Sequence, residues 1–282
     1  MLVSQAPQRF TPSMALPILR RPREDVALAH TATQPQNNLL LAALSGADWH
    51  RWRPQLQHVE MPYGQVLCES RRSCSHVYFP TSSIVSLLNM TANGSCTEVA
   101  TVGNDGVVGL PLLMGCISGN GRAMVQSGGH GYRLSTQLVL DEFNRGGAVM
   151  QLLLRYSQAL LTQVAQTAAC NRHHSIDQQL CRLILLSLDR VQGSSLKLTH
   201  ELLAGKLGVR RESVTVAALA LQRDGVIRYA RGSIEVLDRT GLESRACECY
   251  VTVKQECDRL LPQASPHPSH SLDSHHCEAH CA

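Results

Sequence analysis

Long apolar segments are missing from this 282-residue sequence, in which no run approaches the ~20 residues that a membrane-spanning helix requires. The N-terminus also lacks a basic segment followed by an apolar one, so no secretory signal is predicted. We therefore expect a cytoplasmic protein without a membrane partner. Its length leaves room for two domains of ordinary size.

The motifs of several large enzyme classes are absent as well. The sequence contains no glycine-rich phosphate-binding loop, no HExxH motif and no GxSxG motif. We therefore expect no enzymatic activity and assign no catalytic residue. The net charge of +4 is only mildly basic and does not by itself indicate a nucleic-acid partner.

Cysteine is abundant, with 11 residues, but these are scattered along the chain. In a long sequence without a secretory signal, such a spread does not predict a disulfide framework, so we expect reduced thiols. We expect Cys68 and Cys74 to pack as small hydrophobic residues.

Metal-binding residue types are concentrated near the C-terminus, in Cys247-Glu248-Cys249 and in a tail rich in histidine. Their spacing matches no recognised closed zinc pattern, and tails of this composition are typically disordered. We therefore predict no metal and no cofactor, with a metal or redox site in this region as the alternative. His173 and His174 are interpreted as cap and hinge residues. The histidines and cysteines of the tail are His267, His270, His275, His276, Cys277, His280 and Cys281.

Residues 199–231 carry the most informative pattern, two short helices joined by a glycine turn. Thr199 is a good N-cap, and Gly208 can adopt the positive φ that ends one helix before the next begins. Arg210 and Arg211 then fall at the start of the second helix, where free amides and the helix dipole attract phosphate. This unit predicts a helix-turn-helix with an outward reading surface. The expected inward face consists of Val214, Ala218 and Leu221.

A predicted hairpin follows the second helix. Residues 226–229 favour a strand, 230–232 a tight turn and 233–237 the partner strand. Residues 199–231 contain six basic and three acidic residues, which concentrates positive charge there. A helical hairpin that only packs, which is the alternative, would leave this concentration unexplained. The basic residues are Lys206, Arg210, Arg211, Arg223, Arg228 and Arg231.

Short alternating runs separated by turn residues occupy residues 59–134 and predict a β-sandwich or roll. Residues 1–37 are interpreted as a poorly ordered arm, and residues 38–57 as a helical lead-in. The expected strands include residues 66–68, 76–80, 84–88, 97–100 and 124–126.

Residues 137–172 are predicted to be helical, with apolar side chains on more than one stripe between Ala148 and Cys170. We expect one stripe to pack on the roll and another to form a two-fold interface with a second subunit. A buried core helix in a monomer is the alternative. The residues assigned to the interface are Val149, Leu153, Tyr156 and Leu160.

Together these features resemble the Crp/Fnr family of bacterial transcription regulators, over residues 38–250. The most specific part is the segment from Leu198 to Leu237, within which Gly208-Val209-Arg210-Arg211-Glu212-Ser213-Val214 matches the family pattern. The roll resembles the sensor domain at Tyr63-Gly64, Val77-Tyr78-Phe79-Pro80 and Val107-Val108-Gly109. The resemblance implies an α+β protein whose partners are double-stranded DNA, a second copy of the chain and RNA polymerase. Its expected parts are a roll at 38–136, a dimerisation helix region at 137–172, a winged helix-turn-helix domain at 173–250 and a largely disordered tail at 251–282.

The resemblance also suggests roles for single residues on DNA. Arg211 would read guanine, Glu212 would accept from a cytosine amino group, and Val216 would contact a thymine methyl. Cyclic-AMP-responsive relatives carry a base-reading arginine at the position of Val216, so the operator is expected to differ from theirs. The residues expected to hold phosphates are Thr199, Arg210, Ser213 and Arg231.

Family members that bind cyclic AMP use a glycine-glutamate pair and an arginine followed by a hydroxyl residue. Gly109-Leu110 and Arg122-Ala123 stand in these places, so a ribose acceptor and a phosphate donor are missing. We therefore expect no response to cyclic AMP. The ligand site is unknown, and Arg122 is its one candidate, with an exposed loop arginine as the alternative. Residues 1–67 contain no cysteine, unlike the N-terminal segment that holds the iron–sulfur cluster of oxygen-sensing relatives.

The function predicted from the sequence is that of a sequence-specific DNA-binding transcription regulator acting as a homodimer. The alternative is an interaction protein that senses a ligand, a metal or thiol chemistry and uses its C-terminal domain only for assembly. A steep loss of DNA affinity with salt would distinguish the two.

Overall fold

The computed structural model of the chain describes residues 34–69, 74–91, 96–115, 121–191 and 193–261. The predicted arm lies outside these ranges except for residues 34–37, and the histidines and cysteines of the tail lie outside them entirely. The described chain combines helices with antiparallel sheets, which confirms the predicted α+β class.

A helical lead-in precedes the roll, as predicted. Its key residue is Asn38, whose side-chain amide donates to the carbonyls of Pro80 and Gly106 at 2.9 and 2.8 Å. The lead-in is therefore fixed to the roll by a buried and fully engaged polar side chain. It comprises α1 (Leu39–Ala42), α2 (Gly46–Trp52) and 3₁₀ turns at Pro35–Asn37 and Arg53–Gln55.

The roll consists of two antiparallel sheets. Its strands are β1 (Gln57–Met61), β2 (Val66–Cys68), β3 (His76–Pro80), β4 (Ile84–Met90), β5 (Cys96–Val102), β6 (Gly121–Ser127) and β7 (Gly129–Ser135). One sheet has the order β1-β7-β3 and the other β2-β6-β4-β5. Burial alternates along β3, where Val77 and Phe79 point into the core. A short helix, α3 (Leu110–Leu113), follows β5.

Strand β7 was not among the predicted strands because its glycines lower the strand propensity. The structure explains one of them, since a Cβ at Gly131 would lie 2.8 Å from the carbonyl oxygen of Phe79. Glycine therefore allows β7 to pass close to β3.

The helical region after the roll is divided into α4 (Thr136–Arg145) and α5 (Ala148–His173). Gly146 and Gly147 have φ values of 79° and 85°, which interrupt the helix. Glycine adopts such positive φ values without the steric strain that a Cβ atom would cause. Helix α5 is 26 residues long. Even so, none of the helices in the described ranges combines the length and apolarity needed to cross a membrane.

The C-terminal domain is built around one hydrophobic core. Leu180, Leu203, Val214 and Ile234 are completely buried in it, and each such side chain contributes ~1.5–3 kcal/mol of burial free energy. The sheet has three strands in the order β8-β10-β9, one more than the predicted hairpin. The elements are α6 (Ile176–Leu188), β8 (Ser195–Lys197), α7 (His200–Leu207), α8 (Arg211–Arg223), β9 (Ile227–Ala230) and β10 (Ser233–Val236).

Two further helices follow the wing, α9 (Arg239–Arg245) and α10 (Glu248–Leu260). The folded chain thus continues beyond residue 250, where the tail was expected to begin, so that boundary is wrong. Charged residues on the exposed side of α10 weaken its apolar pattern, but Cys249, Tyr250 and Val253 are buried, and the helix packs against α5.

The expectation that all thiols are reduced is also wrong, because Cys68 and Cys74 form a disulfide. Their Cα atoms are 5.5 Å apart, within the usual range for a disulfide. Spacing along the chain does not reveal this approach. The free cysteines in the described part are Cys96, Cys170, Cys181, Cys247, Cys249 and Cys257.

Candidate nucleic-acid interface

The predicted helix-turn-helix lies in α7 and α8. The hydroxyl of Thr199 accepts from the amide of Leu202 at 3.1 Å, so Thr199 caps α7. Gly208 ends α7 with a left-handed φ of 65°. Arg210 then occupies the N-cap of α8 and places Arg211 in its first turn.

Helix α8 has the inward face that the sequence predicts. Val214, Ala218 and Leu221 are all at most 3% exposed and pack into the C-terminal core. The remaining side of the helix is therefore fixed outward.

The outward face of α8 presents the predicted base-reading residues. Arg211 and Glu212 are exposed in the first turn, and Val216 is 69% exposed one turn later. Leu219, which the sequence analysis did not single out, is 57% exposed on the same face. The face thus combines a charged start with an apolar patch that suits contact with thymine methyl groups.

In the part of the chain that the structure describes, the arginines predicted to contact DNA lack the ion pairs that neighbouring arginines form. Arg223 and Arg228 lie 3.4 and 3.0 Å from carboxylates of the same domain. Arg210, Arg211 and Arg231 form no ion pair within the described ranges. Uncompensated positive charge is therefore concentrated at the start of α8 and at the wing tip.

The wing tip lies beside the start of α7. Arg231 and Gly232 form the turn with φ values of 50° and 78°, as a two-residue hairpin of this type requires. A Cβ at Gly232 would lie 3.2 Å from the methyl carbon of Thr199. Two of the predicted phosphate contacts, Thr199 and Arg231, consequently share one surface, while Ser213 is half-buried in the first turn of α8.

His200 connects three parts of the domain, a role that no sequence pattern indicates. Its ring stacks on Tyr229 of the wing at a centroid distance of 4.2 Å, and its Nδ1 lies 3.0 Å from the hydroxyl of Thr215 on α8. Burial, and secondarily the charge of Arg211, lower the pKa of His200. The neutral imidazole therefore holds α7, α8 and the wing together.

Lys206 does not belong to the basic surface, contrary to the expectation from its position in residues 199–231. It is 5% exposed, and its ammonium donates to Gln126 Oε1 at 2.6 Å and Ser86 Oγ at 3.2 Å. It also forms an ion pair with Glu98. Burial lowers the pKa of Lys206, and Glu98 opposes this shift. Because all three partners lie on the sheet β2-β6-β4-β5, Lys206 anchors α7 to the roll.

The assignment of subunit-interface residues on α5 is wrong. Val149, Leu153 and Tyr156 are 2%, 2% and 4% exposed within a single chain, and Leu160 is partly buried in the same core. These residues form the stripe that packs on the chain's own roll and lead-in. The sequence shows that two apolar stripes exist but does not show which one faces the roll.

A second stripe of α5 is exposed. Leu154 and Leu161 are 47% and 61% exposed, and the spacing along this stripe alternates between three and four residues, as in a helix-pairing seam. The exposed residues of the stripe are Gln151, Leu154, Gln158, Leu161, Ala165 and Ala168.

The candidate ligand residue Arg122 pairs with Glu69 at 2.9 Å. Leu110 and Ala123 are buried, at 5% and 4% exposed, and their apolar side chains offer no polar group to a ligand. The interior next to Ala123 is filled by an apolar cluster. Its members are Met61, Leu67, Val85, Val102, Val108, Ala123 and Val125.

A separate cluster of metal-binding side chains lies where α5 meets α10. It consists of Cys170, His174, Cys247 and Cys249, whose ligand atoms all lie within 4.8 Å of one another. Three cysteines and one histidine are a common ligand set for zinc. Spacing along the sequence does not bring these four residues together, because Cys170 lies 77 residues from Cys247 and His174 lies 75 residues from Cys249.

The described chain consists of a roll joined by a long helix to a winged helix-turn-helix domain. Residues 178–245 match the Crp-like helix-turn-helix domain. The chain therefore carries a domain of this family, at the place where the arginines of α8 and the wing lie.

Solved structures show the same fold over most of the described chain. A protein from Eubacterium rectale, described as a regulator of the Crp/Fnr family, is 17% identical with a TM-score of 0.58, covering 74% of this chain and 98% of its own. FixK2 from Bradyrhizobium japonicum is 14% identical with a TM-score of 0.58, covering 68% and 98%. A Crp/Fnr regulator from Thermus thermophilus is 22% identical with a TM-score of 0.53, covering 67% and 98%. No curated protein matches the sequence. The chain thus has the fold of Crp/Fnr transcription regulators.

Proposed function

We propose that this chain is a sequence-specific DNA-binding transcription regulator of Crp/Fnr type that acts as a homodimer and does not respond to cyclic AMP. The observation that carries the proposal is the set of arginines without ion pairs, Arg210, Arg211 and Arg231, within a Crp-like helix-turn-helix domain. Phosphate binding is favoured there because no carboxylate of the domain competes for these charges.

In this proposal α8 enters the major groove with its N-terminal turn foremost. Arg211 donates two hydrogen bonds to a guanine, and Glu212 accepts one from a cytosine amino group. Val216, supported by Leu219, contacts a thymine methyl. The phosphates on either side are held by Thr199, Arg210, Ser213 and Arg231, which fix the register without reading the sequence.

The homodimer is proposed to form through the exposed stripe of α5. Leu154 and Leu161 lie two turns apart, and the alanines beyond them allow a second α5 to approach closely. A two-fold axis along this seam would present two recognition helices to half-sites ~34 Å apart. RNA polymerase stays a predicted partner of the DNA-bound dimer.

The side chains of the roll support the proposal that the protein does not respond to cyclic AMP. The places that would hold an acceptor for the ribose and a donor for the phosphate carry buried Leu110 and Ala123, and Arg122 is already paired with Glu69. A cyclic nucleotide would leave polar groups unpaired against an apolar interior.

The DNA-binding proposal is tested on an operator selected from genomic fragments with the purified protein. Arg211→Ala is expected to weaken specific binding by about 1–3 kcal/mol and to remove discrimination at one base pair per half-site. Arg231→Ala should weaken binding to all DNA sequences alike. It should also reduce the slope of log affinity against log salt concentration by about one per subunit. Fluorescence anisotropy on the operator and on its single-base variants measures both effects.

Arg259→Ala serves as the matched control, because Arg259 is an exposed arginine of α10 that pairs with Glu256 at 2.9 Å, outside the helix-turn-helix. It should leave affinity and salt slope unchanged. Full sequence discrimination by Arg211→Ala would show that α8 does not read the bases as proposed.

A further inference from the structure

The cluster of Cys170, His174, Cys247 and Cys249 has the dimensions of a site for one metal ion. The sulfurs of Cys170 and Cys247 are 3.5 Å apart, and the sulfur of Cys249 is 3.6 Å from Nδ1 of His174. A tetrahedral zinc ion with ~2.3 Å bonds to sulfur and ~2.0 Å bonds to nitrogen holds its ligand atoms about 3.5–3.8 Å apart. A cluster of several irons would have to hold the four ligands farther apart than this.

Burial makes this a closed site. Cys170, Cys247 and Cys249 are 0%, 3% and 2% exposed, and only His174 lies near the surface. Four protein ligands around one ion leave no open coordination position, which is typical of structural rather than catalytic zinc.

The surroundings orient the ligands as they do in known zinc sites. Nε2 of His174 lies 3.1 Å from a carboxylate oxygen of Glu248, so an Nε2–H hydrogen bond would leave Nδ1 free to face the sulfurs. The side-chain amide of Gln179 donates to the backbone carbonyls of Cys170 and His174, at 3.3 and 2.9 Å. The ligand backbone is therefore held by α6 as well.

We propose that Cys170, His174, Cys247 and Cys249 bind one zinc ion per chain and that this ion joins the end of α5 to the start of α10. The two ligand pairs flank the Crp-like helix-turn-helix domain, which occupies residues 178–245. Zinc would thus fix both ends of the DNA-binding domain to each other and to α5. The proposal is independent of DNA binding and departs from the expectation of no metal that the sequence spacing gave.

The test uses the full chain, purified with reductant and loaded with Zn²⁺ or Co²⁺. One tightly held zinc per chain is expected by elemental analysis, and Co²⁺ should show the strong visible absorption of tetrahedral coordination together with thiolate charge transfer. Cys170→Ser and Cys249→Ser should lose both signals. The matched control is the double variant Cys277→Ser with Cys281→Ser, which should keep them.

A second variant guards against a simple loss of folding. Glu248→Gln leaves all four ligands in place and alters only the group next to His174, so it should fold and yet bind zinc 10- to 100-fold more weakly, by competition with a chelating dye. Unchanged affinity in Glu248→Gln would overturn the proposed role of Glu248 in orienting His174. Loss of zinc in the variant that lacks the tail cysteines, or a Cys170–Cys247 disulfide that persists in protein purified with reductant, would overturn the site as a whole.

Discussion

Replacing Glu98 with alanine measures how firmly the C-terminal domain is held against the roll. The side chain of Lys206 is 2% exposed, and Glu98 supplies its counter-charge. In Glu98→Ala the buried ammonium keeps only the neutral oxygens of Ser86 and Gln126. Breaking a buried pair by removing one partner costs about 3–5 kcal/mol, so we expect a loss of this size in the free energy of unfolding, measured in urea. A loss below ~1 kcal/mol, as for an exposed pair, would refute the reasoning.

The same variant should also show a characteristic pH dependence. Burial lowers the pKa of Lys206 from its ordinary value of 10.5, and Glu98 opposes this shift, so removing Glu98 lowers the pKa further. The unfolded chain then binds more protons than the folded one, and the stability of Glu98→Ala rises with pH up to the ordinary lysine pKa. The difference in unfolding free energy between the wild type and Glu98→Ala should therefore shrink as the pH increases. Combining Glu98→Leu with Lys206→Met should restore most of the stability, and a failure to do so would contradict a purely electrostatic origin.

Two further predictions concern the long helix and the roll. Leu161→Glu should convert the proposed dimer to a monomer in sedimentation experiments with little change in unfolding free energy. Leu153→Ala, a buried control on the opposite stripe, should cost about 2–5 kcal/mol of stability. A dimer that survives Leu161→Glu would exclude the exposed stripe as the interface. Cyclic AMP and cyclic GMP should give no saturable isotherm in titration calorimetry, because Leu110 and Ala123 offer no polar partner. Micromolar affinity for either nucleotide would contradict this account of the roll.

The helix-turn-helix could be predicted from the sequence because its determinants are local. Thr199, Gly208 and the arginines at the start of α8 lie within one short segment, and each acts through the conformation of its own neighbourhood. The inward face of α8 follows from helical spacing in the same way. Comparable local signals identified most strands of the roll.

The features that the sequence did not reveal depend on partners far along the chain. Lys206 is separated from Glu98 by 108 residues, and its burial is a property of the assembled domains. Cys170 meets Cys247 across 77 residues. Short-range spacing carries no information about either contact, and for the same reason it could not decide which stripe of α5 faces the roll.

The anchor between Lys206 and the roll has a mechanical consequence. Two charges that have lost their hydration attract each other strongly at contact, but a small separation leaves both of them unpaired in a medium of low polarity. A slight tilt of the DNA-binding domain away from the roll is therefore resisted more strongly than complete release, in which water solvates each charge again. The joint should therefore resist small displacements strongly and keep α8 in a fixed position relative to the roll for as long as the pair of Lys206 and Glu98 is intact.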